Sequence, residues 1–501
     1  MIRETLLWLF VAGLIGYAWK DWYKSLCGLI ALMAVYQHPD FPTSLAGIQG
    51  MNPWNVLLFS VMLAWVRARK IEGLKWDLSG KFTTYLAIFL FVIVLSFIRL
   101  TGHTEGQEEL AMLRNADPPT VFSLGSEYII NCIKWLIPAL MLYDGCRSEK
   151  RFRMAVWCIL AIYVLIGVQV IRWMPFEHLT GGEDLSERAL KILSREVGYH
   201  RVNLSMMLGG ASWALFCARE IVPSKLGRMG LYFLFMLTFF GMALTGGRMG
   251  YVTWGIIGLM LAFFKWRRIF LYAPAVLVAV VLFLPSVRDR FMEGFTPDSI
   301  DTNTNIAQTE HVDVTEPNLY TITSGRTFIW PFVIDKIRKQ PWMGYGRDAM
   351  VSTGLALYIS AEYGEAFQHP HNMYLQWVMD NGILGSIPVF LLFFYIWMMA
   401  KDLFISKNDP IAVTIGGITL ALVTSLLIAG MGSQTFYPRE GSVGMWCSIG
   451  LALRVYTQHR LLSKRRASMP ADDSVAADVS LWGDTGPPPR PVRWPKGVPQ
   501  T

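Results

Sequence analysis

The sequence predicts an all-α polytopic membrane protein with about 12–13 transmembrane helices and a large, partly helical outer loop late in the chain. Three observations predict it. Of 501 residues, 53% are hydrophobic and only 16% charged, with 19 Trp, a balance that a soluble globular domain does not carry. Apolar runs long enough, or nearly long enough, to cross a bilayer recur from the first residues to about position 457. The charges gather in short groups between those runs, and Lys/Arg-rich loops alternate with Lys/Arg-poor ones. Basic loops on one side of a membrane account for the net charge of +8, so no nucleic-acid partner is implied.

In chain order, the expected membrane segments are 5–19, 25–37, 53–67, 82–99, 126–143, 152–171, 200–217, 229–245, 250–264, 269–285, 382–400, 411–431 and 441–457. The first run lacks a small-residue cleavage site and reads as a retained helix. Together with the second it is short, and the two are divided by Lys20-Asp21-Trp22-Tyr23-Lys24, so two crossings and a shallow hairpin are both open. Basic loops are 67–81, 147–153, 219–228, 265–268 and the tail from residue 454. The loops alternating with them are 38–52, 100–125, 173–199, 246–249, 286–371 and 432–440. The bias of short loops places the basic side in the cytoplasm and the 286–371 loop outside. The expected organisation is an N-terminal membrane block over 1–285, an outer loop domain over 286–381 and C-terminal membrane helices over 382–457. A tail over 458–501, Ala/Asp/Ser-rich and then Pro-rich, cannot bury a core and is expected to be disordered. Cys27, Cys132, Cys146, Cys158, Cys217 and Cys447 lie in or beside apolar runs, without metal-site spacing and with none in the long outer loop.

Chemistry concentrates in the polar stretch 324–385. SGRTFIW at 324–330 opens a helical pattern in which Phe328, Ile329, Phe332, Val333 and Ile337 share a face, with Lys336, Arg338 and Lys339 toward its end. Arg326 therefore stands at the entrance of an amphipathic helix resting on the membrane surface or the bundle, and Pro331 is tolerable only near such a start. In QPWMGYGRD, at 340–348, Gly344-Tyr345-Gly346 marks a tight turn ahead of Arg347. His371 precedes a second helical run bearing Tyr374, Trp377 and Val378, broken at Asn381-Gly382. The positive end of a helix dipole disfavours imidazolium, so His371 could serve as a general base, although position alone favours a structural loop histidine. His369 and His371 flank Pro370 as a His-x-His pair, but no third ligand has convincing spacing, and metal binding is the weaker reading.

Arg248 lies in TGGRMGY, at 245–251, a short outer turn where an arginine runs against the positive-inside bias. Either it holds an anionic partner or it snorkels to lipid phosphates. Lys134 falls near the middle of the 126–143 segment with Glu127 and Asn131 on its face. Pairing with a carboxylate such as Glu127 ranks slightly above a substrate role.

SGRTFIW, QPWMGYG and HNMYLQWVMDNGILG, in this order and leading into a membrane helix, resemble the O-antigen ligase and polymerase superfamily. TGGRMGY is similar to that family's Ser-Arg-Gly turn, although Gly247-Arg248-Met249 stands here. The resemblance implies a GT-C-like fold and a metal-independent glycosyltransferase without cofactor, acting on the periplasmic face of the bacterial inner membrane; direct attack of an acceptor hydroxyl on the anomeric carbon would make it inverting. Its donor would be a glycan on undecaprenyl diphosphate, and its acceptor a glycolipid, a glycan or a protein. Carried over by position, the turn arginine falls on Arg248, the loop arginine on Arg326 and the histidine of the His-Asn pair on His371. Lys134, Arg347 and His369 have no firm place in it.

The chemistry agrees with the residues. A diphosphate leaves readily once its charge is matched, arginine matches phosphate oxygens bidentately, and a neutral His suits deprotonation of an acceptor hydroxyl. Ligation to lipid A–core in lipopolysaccharide synthesis is the first reading. Polysaccharide polymerisation and protein O-oligosaccharyl transfer share the same donor site. A transporter of lipid-linked sugars is disfavoured because most polar residues lie outside the midplane. The topology is testable directly. A cysteine at Asn305 should label with a membrane-impermeant maleimide in intact spheroplasts and one at Ser474 should not; the reverse pattern overturns the orientation.

Overall fold

The computed structural model describes residues 2–45, 48–74, 76–174, 182–271, 274, 275, 278, 288, 326–364, 367–432 and 434–467. Among these the architecture is helical, apart from a two-residue antiparallel ladder, Ser44–Leu45 against Ile48–Gln49. The expected membrane segments fall largely on helix, with turns at 35–37 and 134–136 inside two of them, and most of 269–285 lies outside the described residues. Five described helices are long and apolar enough to cross a membrane: Gly80–Leu100, Glu149–Trp173, Lys225–Leu244, Met373–Phe404 and Pro410–Ala429. The protein is an all-α, multi-pass membrane protein.

Arg201–Ala218 and Pro410–Ala429 form the centre. Both are apolar all round, which suits helices surrounded by other helices. Small residues let them touch: a Cβ on Gly210 would meet Ser425, whose hydroxyl donates to Met206 O at 2.7 Å, and a Cβ on Gly417 would meet Cys217. The N-terminal pair, Ile2–Ala18 and Trp22–Ala31, packs as two antiparallel helices. Ser25 Oγ donates to Leu14 O at 2.8 Å, Arg3 lies 3.6 Å from Asp40, and Tyr23 donates to Arg151 O at 3.2 Å. Their connecting turn therefore sits with the basic loops.

All the basic loops meet at that end. Buried Asp144 takes Arg69 at 2.5 Å, Arg147 at 3.0 Å and the Trp65 indole at 2.8 Å. Arg153 Nη1 donates to Ile221 O at 2.6 Å, Lys265 to Ser406 O at 2.8 Å, and Arg454 pairs with Asp77 at 2.7 Å. One expectation is corrected here: helix Val443–Ala467 continues ten residues into the segment read as tail, and His459 reaches Asp409 at 2.8 Å. The cross-tie to Asp409 is the long-range contact that a composition argument misses.

At the opposite end, the loops build a small second core. Ile329 and Val333 of helix Arg326–Lys339 pack with Met350, Leu355, Ile359, Phe367 and Met379. That helix rests on its own neighbours, including Leu110, rather than on bare bilayer. Met373–Phe404 breaks where expected: Gly382 has φ 65°. The 341–346 strand of chain replaces the missing helical turn. Tyr345 N and Gly346 N donate to Met379 O and Asp380 O at 2.9 and 2.8 Å, while Ile383 N and Leu384 N donate to Pro341 O and Trp342 O at 2.8 and 3.2 Å. Gly344 and Gly382 lie backbone to backbone, with no room for a Cβ on either. The Arg99 guanidinium donates to Met343 O and Gly344 O from the neighbouring helix.

Removing one partner of a buried charge cluster strands the others. Asp144→Ala should lower the unfolding free energy in detergent by about 3–5 kcal/mol. Asp335→Ala, at an exposed pair with Lys339, should leave the denaturation midpoint unmoved.

Candidate active site

The end of the bundle opposite the basic loops collects polar side chains from five separate parts of the chain. The TGGRMGY turn is fixed by its glycines. Gly246 has φ 63°, and Gly247 and Gly250 lie against Ser205 so closely that neither position admits a Cβ. Ser205 Oγ donates to Gly247 O at 3.3 Å. Ser205 stands one helical turn after Arg201, so this contact sets Arg248 beside Arg201. Burial and the Arg248 charge both act on Arg201.

Arg326 joins them from the outer loop. A Cβ on Gly432 would lie 3.0 Å from Met249 Cγ and 3.7 Å from Arg326 Nη1, so the backbone at Gly432 passes directly over both. Burial pushes the Arg326 guanidinium down to about 10, with the Arg248 and Arg201 charges acting in the same direction. It remains charged at neutral pH. Three like charges converge, and each disfavours the others.

His371 stands beside them, half-buried, with φ 49°. Its backbone is pinned on both flanks: Trp330 Nε1 donates to Pro370 O at 3.1 Å, and Met373 N donates to Gly430 O at 2.7 Å. The ring lies 4.3 Å from that of His369. Burial, then His369, Arg326 and His200, push its imidazole down to about 3, so it is neutral at any physiological pH. One detail of the expected dipole argument changes. Asn372, not His371, caps the helix; its side chain accepts from Tyr374 N and Leu375 N at 3.0 and 3.2 Å. Desolvation and neighbouring cations, more than the helix terminus, keep His371 neutral.

Several neighbours were not read from the sequence. Arg439 Nη2 donates to Asn203 Oδ1 at 2.8 Å and to Gln434 Oε1 at 2.5 Å, and Gln434 Nε2 donates to Asn203 Oδ1 at 2.8 Å. His200 caps the Arg201–Ala218 helix, its Nδ1 accepting from Val202 N at 3.3 Å. The signal was present: Arg201 and Arg439, like Arg248, are arginines at the Lys/Arg-poor side of membrane runs.

Arg347 and Lys134 lie elsewhere. Arg347 is stacked 3.4 Å from the Tyr437 ring centroid and stands 3.8 Å from Asp380. Asp380 in turn accepts from Tyr437 at 2.9 Å and Ala349 N at 3.1 Å. This buried network ties the loop to the helix break. Lys134 does not ion-pair with Glu127, which instead accepts from Asn131 at 3.0 Å. Its ammonium meets Asn55 Oδ1 at 3.4 Å and the Trp135 ring at 4.4 Å, because Asn131 already occupies the carboxylate one turn away. His369 is exposed, and among the described residues no group of three or more His, Cys, Asp or Glu is arranged to hold a metal.

No curated protein matches the chain. Residues 233–390, the stretch that holds Arg248, Arg326, His369 and His371, match the family model described as O-antigen ligase, in agreement with the resemblance of its motifs.

Proposed function

We propose that the protein is a membrane glycosyltransferase of O-antigen or polysaccharide assembly that moves a glycan from undecaprenyl diphosphate to an acceptor hydroxyl on the periplasmic face. The observation that carries this reading is the convergence of Arg201, Arg248 and Arg326 beside a neutral His371. The family match over residues 233–390 supports the same class of reaction.

In this reading the arginines bind the diphosphate. Three like charges held together are relieved by a dianionic ligand, and planar guanidinium groups meet phosphate oxygens in pairs. Charge that builds on the departing diphosphate meets donors already in place. His371, held neutral, accepts the proton of the acceptor hydroxyl as that oxygen attacks the anomeric carbon; the sugar–phosphate bond breaks on the opposite face and configuration inverts. Arg439, through Asn203 and Gln434, holds the start of the helix that carries Arg201. Ligation to lipid A–core is the acceptor reading we favour. Chain polymerisation and transfer to protein would use the same donor groups.

Arg248→Lys and Arg326→Lys keep charge but lose the fork, so each should lower transfer of a lipid-linked glycan by about a hundredfold or more. Near wild-type transfer by either lysine variant removes that arginine from the diphosphate site. Activity should also survive chelation of divalent metals, and a loss restored by one metal would revive the His369/His371 ligand reading.

For the base, His371→Ala should lower kcat by about two to four orders of magnitude while donor binding persists. His369→Ala should do much less. The sign of the pH effect follows from the depressed value: His371 is a competent base above about 3, so free-enzyme kcat/KM should hold well into acid before falling. A bound dianion favours imidazolium, so the acid limb of kcat should lie at higher pH than that of kcat/KM. A His371→Ala enzyme that keeps its rate and its acid limb would assign the residue to structure.

A further inference from the structure

Lys134, like Arg347 and His369, was singled out in the sequence and is left unused by the diphosphate chemistry. Its side chain is 8% exposed, and burying an ammonium is expensive unless a charge or full hydrogen bonding compensates. Neither is supplied at contact: Glu440 and Glu127 act on the ammonium only from a distance. An ammonium has three donors, yet the hydrogen bond described here is a long one, 3.4 Å to Asn55 Oδ1. Among the described residues no carboxylate lies within ion-pair distance. The ring faces of Trp135 at 4.4 Å and Trp54 at 5.9 Å attract the cation without neutralising it. Trp54 is fully buried, and its indole Nε1 has no acceptor among the described residues. Tyr36, half-buried, closes the cage with its ring 5.2 Å from Trp135 and 5.9 Å from Trp54.

The cage lies at the same end as the arginine cluster. Asn55 and Arg69 are on one helix, Pro53–Glu72, with about 20 Å of helical rise between them, and Arg69 is held at the basic end by Asp144. Tyr36 leads directly to Gln37, whose carbonyl packs against Gly198 too tightly for any Cβ there, just ahead of Tyr199 and His200. Glu440, next to Arg439, is within electrostatic reach of Lys134, Tyr36 and Tyr199.

We infer that the Lys134 cage, with Asn55, Trp54, Trp135 and Tyr36, is the acceptor subsite and takes an anionic group, phosphate or carboxylate, carried on the acceptor sugar. The contact counter-ion that Lys134 lacks is what the ligand supplies, and the flank of Tyr36 offers the sugar an aromatic face. The inference rests on the glycosyl-transfer reading for its name but not for its test.

The test is a titration of the full-length protein in nanodiscs, following tryptophan fluorescence, with glucose 6-phosphate, glucuronate and neutral glucose as probes. At least one charged sugar should quench the emission, with a midpoint at least about tenfold lower than for glucose. Lys134→Gln should raise that midpoint about tenfold or more, Lys134→Arg should restore part of it, and Trp135→Phe should remove most of the quench. Phosphate and carboxylate sources are told apart by which probe binds. Equal midpoints for wild type and Lys134→Gln, or no preference for charged sugars, overturn the subsite. Transfer is measured separately: Lys134→Gln should raise the acceptor KM and leave the donor KM unchanged. A wild-type protein without transfer sinks the glycosyltransferase reading, while the titration still decides the cage.

Discussion

The architecture at the site depends on one break in a helix. At Gly382 the chain of Met373–Phe404 leaves helical geometry, and four backbone groups lose their ordinary partners. Buried peptide groups must be satisfied, and inside a membrane protein water is a poor substitute. The 341–346 segment meets that demand by accepting from the residues after the break and donating to those before it. Because the segment is clamped by Arg99 on one side and by Arg347, Asp380 and Tyr437 on the other, the outer loop is fixed to the bundle at a defined height. Arg326 and His371 lie on either side of this clamp in sequence, so both inherit its position.

A second constraint is electrostatic. Arg201, Arg248 and Arg326 approach from three elements, and nothing about their mutual interaction is favourable. The approach is imposed by packing: the glycines of TGGRMGY against Ser205, and Gly432 over Met249 and Arg326. The fold sustains that repulsion through apolar contacts elsewhere. Burial, then His369, Arg326 and His200, lower the imidazole of His371, so one of the three arginines also helps to hold that neighbouring ring unprotonated.

Much of the bundle was legible in the chain because membrane segments announce themselves by length and apolarity, which are local properties. Loop alternation added the gathering of basic loops, since each loop carries its own count of Lys and Arg. The break at Asn381-Gly382, the amphipathic run from Arg326 and the turn at Gly344 were legible for the same reason. Helix Val443–Ala467 ran further than composition suggested because a contact to Asp409, some fifty positions upstream of its partner His459, extends it.

What the sequence by itself determined is therefore the class, the helices and the motif residues Arg248, Arg326 and His371. What only the tertiary structure decided is who stands beside them. Asn203 meets Gln434 and Arg439 across more than 230 residues of chain, Arg201 is set beside Arg248, and Lys134 exchanges the expected Glu127 for Asn55 and two indole rings. The physical reason is that hydrophobic periodicity and charge bias are sums over neighbours in the chain, whereas a binding site is made of neighbours in space.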